Sequence, residues 1–202
     1  MKNIALTFDD GPWEPTTPHV IDVLTKHHIP ATFMIWGQHA QKYPDLLKRE
    51  AQNPLFAFGN HTYDHLHLPN VSLSEAQDQL DKNDHLIKSI IGREPEYIRP
   101  PYGEFNDELL AIFDRPAVIW SLDTKSWDHH DPKKVIQNIH KAKDGDVILM
   151  HDFQPADSSA IEDILKTLHS LDFKCCSLKE LIGQQQIKHT KVIYSRDKTI
   201  TK

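Results

Sequence analysis

Two adjacent carboxylates, Asp9 and Asp10, close an apolar run in Thr7-Phe8-Asp9-Asp10-Gly11-Pro12, where a strand would give way to a Gly-Pro turn. Parallel α/β folds place their chemistry at such carboxyl ends of strands, although an Asp pair alone can be no more than a turn former and helix cap. A later apolar run leads into Gly59-Asn60-His61-Thr62-Tyr63-Asp64-His65. Set on a helical turn, two histidines four apart point the same way and can share a metal. With Asp10 they supply one carboxylate and two imidazoles, the count that a catalytic site uses while leaving positions open. Asp10, His61 and His65 are the candidate metal ligands.

A divalent ion in such a site lowers the pKa of a bound water toward ~7 and polarises a carbonyl oxygen, the two needs of amide or ester hydrolysis. A base, an acid and an oxyanion donor remain to be found. Asp9 beside the cation would stay ionised, which suits it to take the proton of an attacking water. The run Val147-Ile148-Leu149-Met150-His151 ends in a histidine placed to return a proton to the leaving amine. Alone, His151 would read as a structural histidine. In Arg99-Pro100-Pro101-Tyr102-Gly103 the prolines fix the backbone and expose the Tyr102 amide as an oxyanion donor, while Arg99 can hold Asp9; the plain alternative is a rigid loop.

These groups need strand ends brought together. Short runs rich in β-branched and aromatic residues recur at 4–8, 31–36, 55–58, 97–98, 117–122, 147–150 and 174–177 and read as strands. Helical spacing lies between them: Val20, Ile21 and Leu24 behind Thr17-Pro18, and Ala76, Leu80, Ile87 and Ile90 behind the capping-box pair Ser72 and Glu75, with Gly92 as the stop. The alternation predicts an α/β fold of parallel strands with outer helices, as an open doubly wound sheet or a closed barrel. After Ile182 the chain turns polar, with one weak apolar run. That stretch is expected to be loosely attached or to add an edge strand.

The motifs resemble those of the polysaccharide deacetylases, the NodB-homology or carbohydrate esterase family 4 domain. TFDDGP stands at 7–12, HTYDH at 61–65, RPPYG at 99–103, DTKSW at 123–127 and LMH at 149–151, and ATFMIWG at 31–37 is similar to the family's second strand. The resemblance runs over residues 3–182. It implies a distorted (β/α) barrel of seven or eight parallel strands with outer helices and a domain at 1–184, and the composition shift after Ile182 leaves 185–202 as a polar C-terminal tail. It also implies Asp9 as base, Asp10, His61 and His65 on the metal, His151 as acid, the Tyr102 amide at the oxyanion and Arg99 orienting the base. Trp127 and Leu149 would line a pocket for the acetyl methyl. One departure stands out: many members have Asp-x-x-Asp-Trp in the fourth motif, the second Asp partnering the acid histidine, and here Ser126 takes its place. Serine carries no charge, so unless Asp123 or Asp128 reaches in, an altered pH optimum is expected.

Bulk properties narrow the partners. A chain of 202 residues with 39% apolar content fits one domain. A net charge of −6, a pI near 6.1 and the lack of a Lys/Arg block argue against nucleic acid and membrane surfaces. No apolar run of about 18 residues is present to span a bilayer, and MKNIALTFDD lacks a signal-peptide core, which leaves a cytoplasmic enzyme and an exported one without its export segment both open. The neighbouring Cys175 and Cys176 read as buried small residues. The expected partner is a carbohydrate: peptidoglycan, chitin oligomers, poly-N-acetylglucosamine or acetylated xylan. Zinc is the default metal for Asp-His-His, with cobalt, nickel and manganese open. Oligomeric state has no sequence signal.

Aromatic faces at Trp13, Trp36 and Trp127 suit sugar rings, with Trp36 read as core. Asp128-His129-His130-Asp131 resembles a second metal site, but adjacent histidines point apart and a solvated loop before the Pro132 helix fits better. The other histidines, such as His27, His28 and His67, read as exposed. Rival activities are hydrolysis of O-acetyl xylan or of a cyclic amide or ureide on the same scaffold, and a non-catalytic sugar-binding module. Phosphoryl transfer is disfavoured because no Gly-rich phosphate loop or P-loop lysine is apparent.

Overall fold

The computed structural model describes residues 1–201. Its strands are β1 (Lys2–Asp9), β2 (Ala31–Ile35), β3 (Phe56–Asn60), β4 (Tyr97–Ile98), β5 (Ala117–Val118), β6 (Leu122–Asp123), β7 (Val147–His151), β8 (Phe173–Cys175), β9 (Thr190–Ser195) and β10 (Lys198–Thr201). They follow the order β10-β9-β5-β4-β3-β2-β1-β7-β6, with β8 also on β1. Among the described residues β9–β10 is the only antiparallel strand pairing. β1 is buried from Ile4 onward, which explains its nearly unbroken apolar run: a strand covered on both faces has no solvent side to mark with polar residues.

The sheet curls back on itself. β5 lies against β4, and β6, a few residues later, lies against β7. One short length of chain therefore joins both ends of the β4-β3-β2-β1-β7 series, and an antiparallel bridge between Asp146 and Ser195 ties β9 to the start of β7. The result is a distorted parallel barrel and not an open doubly wound sheet. The single strand expected at 117–122 is split because its amides change partners: Ile119 donates to the Ile193 carbonyl and Ser121 to that of Val147.

Helices pack outside. In the helix Thr17–Lys26, Val20, Ile21 and Leu24 face the core. In the helix Leu73–Ile91, the Ser72 hydroxyl accepts from the Glu75 amide at 3.2 Å, and Gly92, at φ 77°, ends it in the left-handed conformation that glycine adopts without steric cost. The helix Pro155–Ser170 lays Ala160, Ile161, Ile164 and Leu168 against the strands.

The stretch after Ile182 is not loosely attached. Val192 and Ile193 of β9 are fully buried and pair with Ala117 and Val118 of β5, and burial on that scale stabilises by about 1.5–3 kcal/mol per side chain. β10 takes the edge. Cys176 is buried and Cys175 half-buried, both as free thiols. Among the described residues no helix is long and apolar enough to cross a membrane.

Candidate active site

The carboxyl ends of β1, β3, β4, β6 and β7 converge on one cavity of about 340 Å³. Asp9, Asp10, His61, His65 and His151 form its polar wall; Trp120, Trp127 and Leu149 form its apolar one, with Tyr102 and Asp123 at the sides. Parallel pairing sets this alignment, since Asp9 is the register partner of both Met34 on β2 and His151 on β7. The expected base, acid, metal ligands, oxyanion donor and methyl-pocket residues all line it, while Arg99 stands outside the lining, directly behind Asp9.

Asp10 Oδ1 lies 3.3 Å from the Nε2 atoms of both His61 and His65. One ligand atom from each residue falls within 4.8 Å of the others. His61 Nδ1 donates to the Arg99 carbonyl at 2.7 Å, which leaves Nε2 as the ring's free acceptor on the cavity side. Asp10 sits at φ 71°, and His39 Nδ1 holds its carbonyl at 2.6 Å. Burial pushes the Asp10 carboxyl up, but the neighbouring His61 and His65 rings and the charge of His151 outweigh it and set the group well below the ordinary carboxylate range. For His61, burial pulls the imidazole down, while Asp9, Asp10 and the Arg99 carbonyl push it further up, to a net value above the usual one.

The segment 61–65 is not a helical turn. Thr62 and His65 both have positive φ, 65° and 58°. Asn60 Oδ1 accepts from the Thr62 amide at 2.8 Å, Thr62 Oγ1 accepts from the His65 amide at 3.1 Å, and Asn83 Nδ2 donates to the Thr62 carbonyl at 3.0 Å. These bonds replace helical ones and bend the loop so that the two Nε2 atoms meet at Asp10.

Asp9 is buried and accepts from an Arg99 terminal nitrogen at 2.6 Å. Its other oxygen is 3.6 Å from His61 Nε2. Arg99 is fully buried, with Nε donating to the Val118 carbonyl at 2.6 Å and its second terminal nitrogen to that of Ile119 at 2.9 Å. Across the cavity His151 Nε2 stands 4.0 Å from Asp10 Oδ2. Tyr102, at φ 61°, turns the chain so that Gly103 and Glu104 donate to the Pro100 and Pro101 carbonyls, leaving the Tyr102 amide outside the turn's own bonding. The half-exposed Tyr102 ring stacks on His67 at 3.7 Å.

Several residues at this site carried no clear sequence signal. Trp120 forms part of the wall, and a Cβ on Gly103 would meet its ring at 2.8 Å. Asp123 accepts from the Lys125 amide at 2.7 Å and from Trp127 Nε1 at 3.1 Å, so it fixes the indole and does not reach His151. Asp128 is exposed. The carboxylate beside His151 comes from Asp157, which accepts from the His151 amide at 2.8 Å. Trp36, expected in the core, is half-buried and braces His65, with ring centroids 5.1 Å apart. His129 engages the Thr124 carbonyl and the Asp131 amide, both within its own loop.

A parallel barrel that gathers carboxylates and imidazoles at its strand ends has the layout of a hydrolase, with a donor set that could hold a metal. The family model for polysaccharide deacetylase matches residues 1–115, and the chain belongs to that family. A peptidoglycan-N-acetylglucosamine deacetylase, PgdA, of Listeria monocytogenes is 34% identical over 185 residues; the match covers 91% of this chain but 40% of that protein. A chitooligosaccharide deacetylase of Azorhizobium caulinodans is 34% identical over 81% of this chain and 80% of its own. The solved structure of the peptidoglycan deacetylase PdaC from Bacillus subtilis superimposes with a TM-score of 0.85 at 34% identity, covering 93% of this chain and 91% of that one.

Proposed function

We propose that this protein removes acetyl groups from an N-acetylated amino-sugar polymer or oligomer, with one divalent ion, zinc by default, held by Asp10, His61 and His65. The observation that carries this reading is the occurrence of the Arg99-held Asp9 and the Asp10-His61-His65 cluster in one cavity. The donor set fits a cation: Asp10 Oδ1 is buried without a hydrogen-bond partner, and a buried unpaired carboxylate oxygen is costly unless a positive centre meets it. When bound, such an ion polarises the acetyl carbonyl and acidifies a water.

The chain's own groups do the rest. Asp9, fixed by Arg99, takes the proton from the attacking water. The Tyr102 amide donates to the oxygen on which negative charge develops. His151 protonates the leaving amine as the C–N bond breaks. Trp127 and Leu149 enclose the acetyl methyl, and the exposed faces of Trp127 and Tyr102 offer ring surfaces to the sugar. The names of the relatives, N-acetylglucosamine and chitooligosaccharide deacetylases, support an N-acetyl over an O-acetyl substrate. A non-catalytic module would not need every one of these groups.

The test is acetate release by the zinc-loaded protein from N-acetylglucosamine oligomers, peptidoglycan fragments and acetylated xylan, beside ring opening of a cyclic amide. Release from an N-acetylated substrate at the highest kcat/KM is expected. Turnover of acetylated xylan or the cyclic amide alone would replace this reading with an esterase or a cyclic amidase.

A further inference from the structure

We propose that Asp157 is the positioning residue for His151, supplying from the next helix the carboxylate that the fourth motif lacks at Ser126. The inference rests on the reading of His151 as the acid. Asp157 lies in the first turn of the helix Pro155–Ser170 and is fully buried. All its hydrogen bonds fall on Oδ2, which accepts from the Ser126 hydroxyl at 2.5 Å, the His151 amide at 2.8 Å and the Thr124 hydroxyl at 3.3 Å. Its Oδ1 is buried and unpartnered. So is His151 Nδ1.

A carboxylate oxygen only accepts, and an imidazole Nδ1–H only donates, so each orphan atom has the chemistry that the other lacks. Leaving both unpaired in a buried setting is costly, which favours a coupling between them. Such a partner fixes the tautomer that leaves Nε2 toward the cavity and stabilises the imidazolium that must form before the amine departs. Ser126 is then no simple loss. Its hydroxyl is the donor that a carboxylate at 157 requires, whereas an Asp at 126 would face Asp157 at hydrogen-bond distance as a like charge. Serine at 126 and aspartate at 157 act as one exchange: the charge has moved across the contact.

The test is a set of variants read by acetate release, metal content and the ¹H–¹⁵N resonances of His151 in the zinc-loaded protein. Asp157→Asn, which keeps size and loses charge, is expected to lower kcat by about 10²-fold with KM and metal content little changed, and to move the His151 Nδ1–H signal upfield. Ser126→Asp alone is expected to impair the enzyme, and Ser126→Asp with Asp157→Ser to recover most of the kcat lost in Asp157→Asn. In a His151→Ala background, Asp157→Asn should cost nothing more. Full additivity in that background, or an unmoved Nδ1–H signal with unchanged kcat in Asp157→Asn, overturns the proposal. Undiminished release by His151→Ala itself overturns the acid assignment on which it rests, and is a separate result.

Discussion

Arg99 donates to Asp9 across 2.6 Å, and both side chains are closed to solvent. The guanidinium also binds the Val118 and Ile119 carbonyls, so the proposed base is tied to the point where the chain leaves β5, beside β4, for β6, beside β7. Its geometry is therefore set by closure of the barrel. Arg99→Lys keeps the charge but cannot reach three acceptors at once. We expect kcat to fall by about 10²-fold and stability by about 2–4 kcal/mol, read by initial rates and chemical denaturation. A variant with parental rate and stability would show that the tie is dispensable.

Metal uptake should release a proton. Burial lowers His61, but Asp9 and Asp10 raise it further, to a net value above the ordinary one, so the proton on the ring must leave before Nε2 can hold a metal. Asp10 is already ionised and contributes none. Affinity should climb as pH rises through the His61 value and level off above it. Calorimetric titration of zinc at pH 6.5 and 8.5, each in two buffers of different ionisation heat, measures this; proton release that is the same at both values would count against it.

Trp127 is 51% exposed and is anchored by its Nε1–H on Asp123. A surface indole of this kind contributes little to folding but much to a sugar ring lying on it. Trp127→Ala should leave stability within about 0.5 kcal/mol of the parent while raising KM for an N-acetylglucosamine oligomer by about tenfold, or about 1.4 kcal/mol. A large loss of stability with unchanged KM would make it a structural residue.

How much of this was legible depends on whether a residue's partner lies near it in sequence. Asp10, His61, Arg99 and His151 each follow an apolar run, so strand periodicity alone places them at strand ends. The helix Leu73–Ile91 was marked at both ends by Ser72 and Gly92. Spacing misled at His61 and His65, because four residues apart suggested a helical turn where side chains of Asn60 and Asn83 impose a left-handed loop. Asp157 reads locally as an acidic residue in the first turn of a helix, a common choice beside the helix dipole, and only the fold reveals Ser126 against it. Val192 and Ile193 form one weak apolar run that fits a loose tail or an edge strand equally well, and only their pairing with β5 decides for a strand.

A buried acid pair gives the protein a pH-dependent stability. Glu50 is fully buried with neither oxygen partnered; burial and the charge of Asp152 push its carboxyl well above the ordinary value. Burial pushes Asp152 up, the bond from Thr17 pulls it back, and the charges of Asp10 and Asp9 push it higher, to a net value of about 7. The folded state thus holds these protons more tightly than the unfolded chain, whose values are near 3.8 and 4.5. The stability so gained is fully present below those unfolded values and is lost as pH rises through about 7. Glu50→Gln should flatten the profile and be more stable than the parent above that range by about 1–3 kcal/mol, as followed by urea denaturation from pH 5 to 8.5. A variant profile parallel to the parent's would contradict this.

Acetate release from N-acetylglucosamine oligomers by metal-stripped protein, with zinc, cobalt and nickel each added back, decides between a metal-dependent deacetylase and any other reading when Asp9→Asn is run under the same conditions. Release is expected to be restored by metal and lost by about 10²-fold or more in Asp9→Asn, whose metal content equals the parent's. Release that persists without metal, or that survives in metal-loaded Asp9→Asn, would contradict it.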